Sequence, residues 1–274
     1  MKMTSSLHNH TLWCDGRNTP EEMADAAIAA GYTDFGFSSH GHDPTYSHSL
    51  QDAEGYIAAI NKLKKEYEGR LRVYLGMESD YLYALTCRDK LDYIVGSVHN
   101  IPVKGQRDGF CIESTYEQID AAMEYYGGDG MAIVRDFFDA TVKNAEINRP
   151  DVYGHFDIIL KLNKDNYFFD EGSKAYMDMA REAAKACSEV GGVFEINTGG
   201  KFSGYRDFFY LKEFLLRYLR EIGARVTVST DCHTTKSIAY GVSEAIAGMK
   251  QAGFRSLWVF EKGAFTEKDI NLFE

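Results

Sequence analysis

The sequence predicts an α/β chain closed into a parallel β/α barrel. Three observations carry that expectation. Short apolar runs rich in β-branched and aromatic residues alternate with helical stretches along most of the 274 residues. Histidines and acids stand just after these runs: His8 and His10, His40, Glu78, His99, His155, Glu195, and Asp231 with His233. No linker or repeat divides the chain, so residues 1–274 read as one domain. An open doubly wound sheet is the alternative. It would gather ligand-bearing loops at one switch point, whereas here they follow nearly every strand.

The elements follow in order. Residues 4–8 read as the first strand and deliver His8 and His10. Thr19-Pro20-Glu21-Glu22 opens a helix, with Thr19 as N-cap and Pro20 in the first turn, and Gly31 ends it. Thr33–Phe37 is the second strand and delivers His40. A helix over 52–68 leads to the third strand, Leu71–Gly76, which delivers Glu78. Leu91–Gly96 is the fourth and delivers His99. Residues 101–130 are the least regular part, with a short helix near 115–126 and a glycine-rich break. A helix over 131–148 precedes Val152–Gly154, which delivers His155. A helix over 171–189 precedes Val193–Ile196, which carries Glu195. A helix over 208–222 precedes Arg225–Thr230, which delivers Asp231 and His233. The spacing then predicts a helix over 237–251, an eighth strand at Leu257–Phe260 and a short helical tail.

Composition narrows the function. Hydrophobic residues are 45% and charged residues 26%, ordinary for a globular protein, and the formal net charge is −11. So acidic a surface repels phosphate backbones and disfavours a long nucleic-acid partner, but not a small phosphate ester held by metals. No stretch is apolar enough to span a bilayer, and MKMTSSLHNH lacks the apolar core of a secretory signal. Five scattered cysteines without a C-x-x-C pair read as reduced thiols, hence a cytoplasmic protein. Cys14 and Cys232 lie beside candidate ligands but read as small buried groups.

The chemistry lies at the strand ends. Residues i and i+2 of a strand point the same way, so His8 and His10 can reach one ion together, as can Asp231 and His233. The joint pattern predicts a multinuclear metallohydrolase. A phosphate monoester repels nucleophiles. Clustered divalent ions neutralise that charge, lower the pKa of a bridging water and clamp the attacking and leaving oxygens.

The residues resemble the PHP (polymerase and histidinol phosphatase) superfamily. The carriers are the H-x-H at His8 and His10, the following Asp15, the single His40, Glu78, His99 and His155, and the closing Ser229-Thr230-Asp231-Cys232-His233. Gly154-His155-Phe156-Asp157 and Glu195-Ile196-Asn197-Thr198-Gly199-Gly200 are similar to motifs of its histidinol-phosphatase branch. The resemblance implies a distorted, TIM-like β/α barrel of about seven strands, so that one of the eight candidates is peripheral or outside the barrel. It implies three divalent ions per chain, Zn, Mn or Fe. His8, His10, Glu78 and Asp231 would hold the first; Asp15, His40 and His233 the second; Glu78, His99 and His155 the third, with Glu78 bridging. Glu195 would support the ligands from behind. Many relatives have histidine at the Asp15 position, and a carboxylate there favours harder ions such as Mn²⁺ or Fe²⁺. Asp15-Gly16 is also ordinary turn chemistry.

The implied activity is hydrolysis of a small phosphorylated metabolite, first of all L-histidinol phosphate in histidine biosynthesis. Asp231 or His233 would assist leaving-group protonation. Lys201, Arg206 and Lys161 are candidates to grip the phosphate, against the alternative that each is a solvated surface charge. His42 is a substrate contact or a loop residue. Asp43 and Glu113 are acids that could meet a substrate ammonium group. Two other readings stand beside this one. A phosphoesterase for nucleotides or short oligonucleotides would use Tyr46, Phe110, Phe202 and Tyr205 for stacking. A metal-binding module without catalysis would be expected to have lost ligands.

Overall fold

Strand and helix alternate as expected, and seven parallel strands close almost completely into a barrel. The computed structural model describes residues 3–273, apart from 45, 84, 86 and 104–107. The barrel strands are β1 (Ser5–Ser6), β2 (Asp34–Phe37), β3 (Arg72–Asp80), β4 (Tyr93–Ser97), β7 (Val152–Tyr153), β8 (Val193–Asn197) and β9 (Val226–Ser229), each hydrogen-bonded to the next in that order. Two short strands, β5 (Asn100–Ile101) and β6 (Phe110–Cys111), form a small antiparallel hairpin in the segment the sequence leaves irregular. The main outer helices are α1 (Pro20–Ala30), α2 (Ala53–Glu66), α3 (Tyr116–Tyr125), α4 (Gly130–Asn148) and α5 (Lys174–Val190). After the short α6 (Gly199–Phe202) come α7 (Glu213–Glu221) and α8 (Val242–Gln251). Thr19 accepts from Glu22 N while the Glu22 side chain accepts from Thr19 N, so both predicted capping partners are in place, and Gly31 takes the left-handed conformation at φ 96°.

Between β9 and β1 the wall is completed by other means. At the mouth, Asn9 and Cys232 bridge in parallel, and His10 N donates to Cys232 O at 2.9 Å. Lower down, β10 (Ser256–Glu261) packs against both strands, and Phe260 N donates to Ser5 Oγ at 3.0 Å. Phe260 enters the barrel's apolar filling with Leu7, Tyr74, Tyr93, Val95 and Val152. Gly36 and Gly76 make room for Tyr93, because a Cβ at either position would fall inside its ring. The Tyr93 hydroxyl donates to Leu7 O across the barrel.

The eighth strand candidate is therefore peripheral. The tail corrects the sequence reading: Ala264–Asp269 is not helical but forms β11, antiparallel to β10, followed by a single 3₁₀ turn. Lys262 and Gly263 make the two-residue turn, at φ 53° and 84°. Two positive φ values match the strand twist of a tight hairpin, and glycine supplies the second without strain. The turn is anchored beneath the barrel, since Lys262 N donates to Asp34 Oδ1 and Gly263 N to the Tyr74 hydroxyl. The helix expected over 208–222 begins only at Glu213, and that over 237–251 only at Val242. β3 runs beyond Gly76 to Asp80, so Glu78 lies inside the strand rather than after it. Among the described residues no helix is long and apolar enough to cross a membrane.

Candidate metal centre

The mouth of the barrel gathers every histidine and acid that the strand-end pattern singles out. His8 and His10 point inward together, and the intervening Asn9 turns into the wall, where Asn9 Nδ2 donates to Gly36 O at 2.7 Å. His8 Nε2 lies 3.1 Å from Glu78 Oε2 and 3.5 Å from Asp231 Oδ1. His10 Nε2 lies 3.4 Å from Glu78 Oε2 and 3.1 Å from Asp231 Oδ1. Four donors placed tetrahedrally at roughly 2.0–2.1 Å from an ion stand about 3.3 Å apart, so this is the spacing of a coordination sphere. All four atoms are buried and none has a hydrogen-bond partner. Four orphaned polar atoms converging on one point are hard to reconcile with a sealed core and fit a bound cation. Asp231 holds a left-handed conformation at φ 47°, a strained turn that aims its carboxylate across the mouth.

Two further groups share this centre. Asp15 Oδ2 stands 3.4 Å from His40 Nε2 and 3.2 Å from His233 Nε2. Glu78 Oε1 stands 3.0 Å from His155 Nε2 and 3.2 Å from His99 Nε2, with the two imidazole nitrogens 3.4 Å apart. The two oxygens of Glu78 thus face different groups. His40 also reaches toward Glu78, Nδ1 to Oε2 at 3.1 Å.

Behind the donors lies a shell of fixed partners. Glu195 is fully buried and accepts from His8 Nδ1 at 2.9 Å, His155 N at 2.7 Å, Asn197 Nδ2 at 2.8 Å and Ser229 Oγ at 2.5 Å. Holding the proton on His8 Nδ1 leaves the Nε2 lone pair free toward the centre. Asp80 does the same for His99, lying 3.2 Å from Nδ1 while accepting from His99 N at 2.7 Å. The sequence reading missed Asp80, although the i, i+2 spacing from Glu78 carries the same signal as His8 and His10. Ser97 Oγ donates to Glu78 Oε1 at 2.6 Å, and Tyr46 OH to Asp15 Oδ2 at 2.9 Å.

The electrostatics call for positive charge. Burial works against a proton on His8, yet Asp231, Glu195 and Glu78 hold its pKa well above the ordinary value. His99 behaves alike: burial opposes its charge, and Glu113, Glu78 and Asp80 raise it. For His233 burial is again outweighed, chiefly by Asp15, and the pKa rises to about 10. Glu78 and Asp231 are pushed the other way: burial would raise them, but the surrounding imidazoles hold them well below the carboxylate range. Protons occupy the role that a cation fills better. This donor set, imidazole and carboxylate without thiolate, is that of a divalent-metal site.

Above the centre opens a cavity of 610 Å³, lined in part by Asp15, His40, His42, Glu113, Lys161 and His233. Lys161, one of the three grip candidates, lines it and pairs with Glu113 at 2.8 Å. Lys201 and Arg206, the other two candidates, do not line the cavity. Lys201 Nζ pairs with the exposed Glu244 and lies over Phe209. Arg206 is nearly buried, donates to Leu160 O at 2.7 Å and pairs with Glu171 at 2.9 Å. Arg206 therefore braces the turn that carries Lys161. His42 lines the cavity, its Nδ1 3.3 Å from Leu50 O. Of the aromatic stacking candidates, Tyr46 and Tyr205 line the cavity, whereas Phe110 packs on Tyr125 and Phe202 on Tyr240. Cys232 is buried with Sγ on Asn9 Oδ1, whereas Cys14 is only partly buried, its Sγ 3.4 Å from His10 Nδ1.

Fold and centre together define a barrel of the metal-dependent type. The profile of the PHP domain matches residues 6–199, most of the chain, and the chain belongs to that family. It is similar to the probable histidinol-phosphatase of Schizosaccharomyces pombe, 25% identical over 284 residues, covering 96% of this chain and 90% of that protein. It is also similar to the histidinol-phosphatase of Bacillus subtilis, 24% identical over 260 residues, covering 85% of this chain and 94% of that one. The fold is shared with a crystal structure of histidinol phosphate phosphatase from Lactococcus lactis complexed with zinc, L-histidinol and phosphate. The TM-score is 0.66 at 20% identity, covering 97% of this chain and all of that one.

Proposed function

We propose that this chain is a metal-dependent phosphomonoesterase that hydrolyses L-histidinol phosphate to L-histidinol and phosphate. The observation that carries the metal dependence is the set of four buried, unpartnered atoms, His8 Nε2, His10 Nε2, Glu78 Oε2 and Asp231 Oδ1, at tetrahedral spacing. The names of the relatives and the ligands in the Lactococcus lactis structure support the substrate.

In this reading His8, His10, Glu78 and Asp231 hold a first ion. Asp15, His40 and His233 hold a second, and Glu78, His99 and His155 a third, with zinc, manganese or iron as the metal. Bound ions would neutralise the phosphate and acidify water for in-line attack. The chain's own groups do the rest. Glu195 and Asp80 fix His8 and His99 in the tautomers that donate from Nε2. Lys161 brings positive charge to the phosphate from the cavity wall, and His42 borders the substrate. Of the two candidates to protonate the departing alkoxide, His233 is engaged at both ring nitrogens, Nε2 toward the second ion and Nδ1 at 2.9 Å from Asp231 O, so the role falls to Asp231, whose Oδ2 is outside the first donor set.

A panel of phosphorylated metabolites assayed with Mn²⁺-, Fe²⁺- and Zn²⁺-loaded protein tests the proposal. Histidinol phosphate is expected to be turned over with the highest kcat/KM, and metal-stripped protein to be inactive. Absence of turnover of every phosphate monoester by fully loaded protein sinks the enzymatic reading. A better substrate among nucleotides sinks only the choice of substrate.

A further inference from the structure

Glu113 is one of three cavity acids, with Asp43 and Asp108, to which the reading above gives no task, and it is the one beside a proposed ligand, His99. It follows β6, and the small hairpin sets its place: Asn100 pairs with Cys111, and Ile112 N donates to His99 O at 3.0 Å. That register brings Glu113 to the imidazole of His99. Its Oε1 lies 3.5 Å from His99 Nε2, the upper end of the spacing within the donor groups. Its Oε2 accepts from Lys161 Nζ at 2.8 Å, and Lys161 lies over the Tyr205 ring at 4.6 Å. Among the described residues, Lys161 is the one Lys or Arg lining the cavity. The Glu113 carboxylate therefore stands between the group of Glu78, His99 and His155 and the cation nearest to it.

We propose that Glu113 is a displaceable donor to the third metal position: it caps that ion in the resting enzyme and gives way to the substrate phosphate. The inference rests on the three-ion reading. Glu78 Oε1, His99 Nε2 and His155 Nε2 supply three donors, one short of the four that a zinc-like ion takes. A carboxylate oxygen and a phosphate oxygen are both hard acceptors and compete for one open position. Lys161 has three N–H donors, so it can retain Glu113 while it also meets the phosphate. A purely structural ion pair would make a different demand, since its loss would leave the third ion unmoved.

Glu113→Gln keeps the shape and removes the charge, and Glu113→Asp keeps the charge but withdraws it by one methylene. Metal-stripped protein is titrated with Zn²⁺ against a competing chelator, and inorganic phosphate is then titrated into the Zn²⁺-saturated protein by calorimetry. Wild type is expected to take up three ions. Both variants are expected to bind the first two ions as wild type does and the third about tenfold more weakly. Inorganic phosphate is expected to bind the saturated Glu113→Gln protein several-fold more tightly, because its competitor is gone. Lys161→Met is expected to keep the third ion and to lose phosphate affinity. Three ions in wild type with an unchanged third-ion affinity in both variants overturns the role of Glu113 and leaves the three-ion reading standing. Fewer than three ions in wild type overturns both.

Discussion

Replacing Glu195 by glutamine changes almost no volume and removes one buried charge, and its consequence can be worked out atom by atom. Oε1 of Glu195 accepts from His155 N and Asn197 Nδ2. A backbone N–H cannot reverse its polarity, so the amide oxygen of the glutamine must remain there. The new NH₂ group then faces Ser229 Oγ and stands 3.1 Å from His8 Nδ1, whose shorter contact, 2.9 Å, is with the retained oxygen. The serine hydroxyl can turn to accept. His8 can accept at Nδ1 only by moving its proton to Nε2, the atom that stands 3.1 Å from Glu78 Oε2. If it does so, it no longer donates to an ion. If it does not, its proton keeps to an amide oxygen that is now uncharged and already shared with His155 N and Asn197 Nδ2, while it abuts the new NH₂ group, at about 1–3 kcal/mol. Either outcome weakens the first metal position by roughly ten- to a hundredfold, about 1.4–2.7 kcal/mol. Zn²⁺ titration against a chelator reads the affinity, and thermal unfolding of the metal-stripped protein reads the hydrogen-bond loss. A Glu195→Gln protein that binds every ion with wild-type affinity refutes the claim that this carboxylate sets the His8 tautomer.

Three other outcomes follow from the same geometry. Lys161→Met is expected to raise KM for histidinol phosphate by roughly tenfold, a loss on the order of 1–2 kcal/mol, while Lys201→Ala leaves KM unchanged because its ammonium pairs with Glu244 outside the cavity; steady-state kinetics on both decides. In metal-stripped protein, the pKa of His233 is raised to about 10, and those of His8 and His99 are raised as well. Their protonated forms stabilise the fold below the ordinary imidazole value of about 6.5, and that stability is lost as pH rises toward about 10, so Tm should fall across this window; apparent metal affinity should rise across it, since binding expels the same protons, and scanning fluorimetry with and without metal checks both. Phe260→Ala empties the barrel floor and should lower stability by about 3–5 kcal/mol in denaturant titrations while the metal-to-protein ratio holds.

The centre was legible in the sequence wherever its geometry follows from strand period. His8 and His10, or Asp231 and His233, need only the rule that alternate residues share a side. Glu78 and Asp80 obey the same rule, and the signal of Asp80 is hidden because the sequence places the strand's end at Gly76, whereas β3 runs on to Asp80. The phosphate grip was less legible for a physical reason. Lys201 and Arg206 lie close after a glycine-rich strand end, but where a long side chain goes is decided by its partner. Glu244 and Glu171 are remote in sequence and draw the two cations away from the cavity. The Lys262-Gly263 turn carried a hairpin signal, yet the polar run Thr266-Glu267-Lys268-Asp269 obscured the strand that follows it. That strand's partner, β10, is the neighbouring strand the sequence does predict, but the anchor of the turn, Asp34, is remote in sequence.

The two ends of the barrel divide the demands on the chain. The floor is apolar and tied: Tyr93 fills the space left by Gly36 and Gly76, Phe260 plugs the gap between β9 and β1, and Asp34 takes bonds from Arg72, Tyr74 and Lys262. The mouth is the opposite, with carboxylates and imidazoles packed at contact spacing, four orphaned donor atoms and a strained Asp231. Such a mouth costs folding free energy when no cation is present, and the floor offsets that cost. Because Glu78 lies on a barrel strand and His8 and Asp231 stand two residues beyond the ends of theirs, the floor also fixes where each donor emerges. Rigid floor packing and a frustrated mouth are thus one design: the same strand register that fills the barrel with Tyr93 and Phe260 holds His8, Glu78 and Asp231 at the spacing of a metal ion.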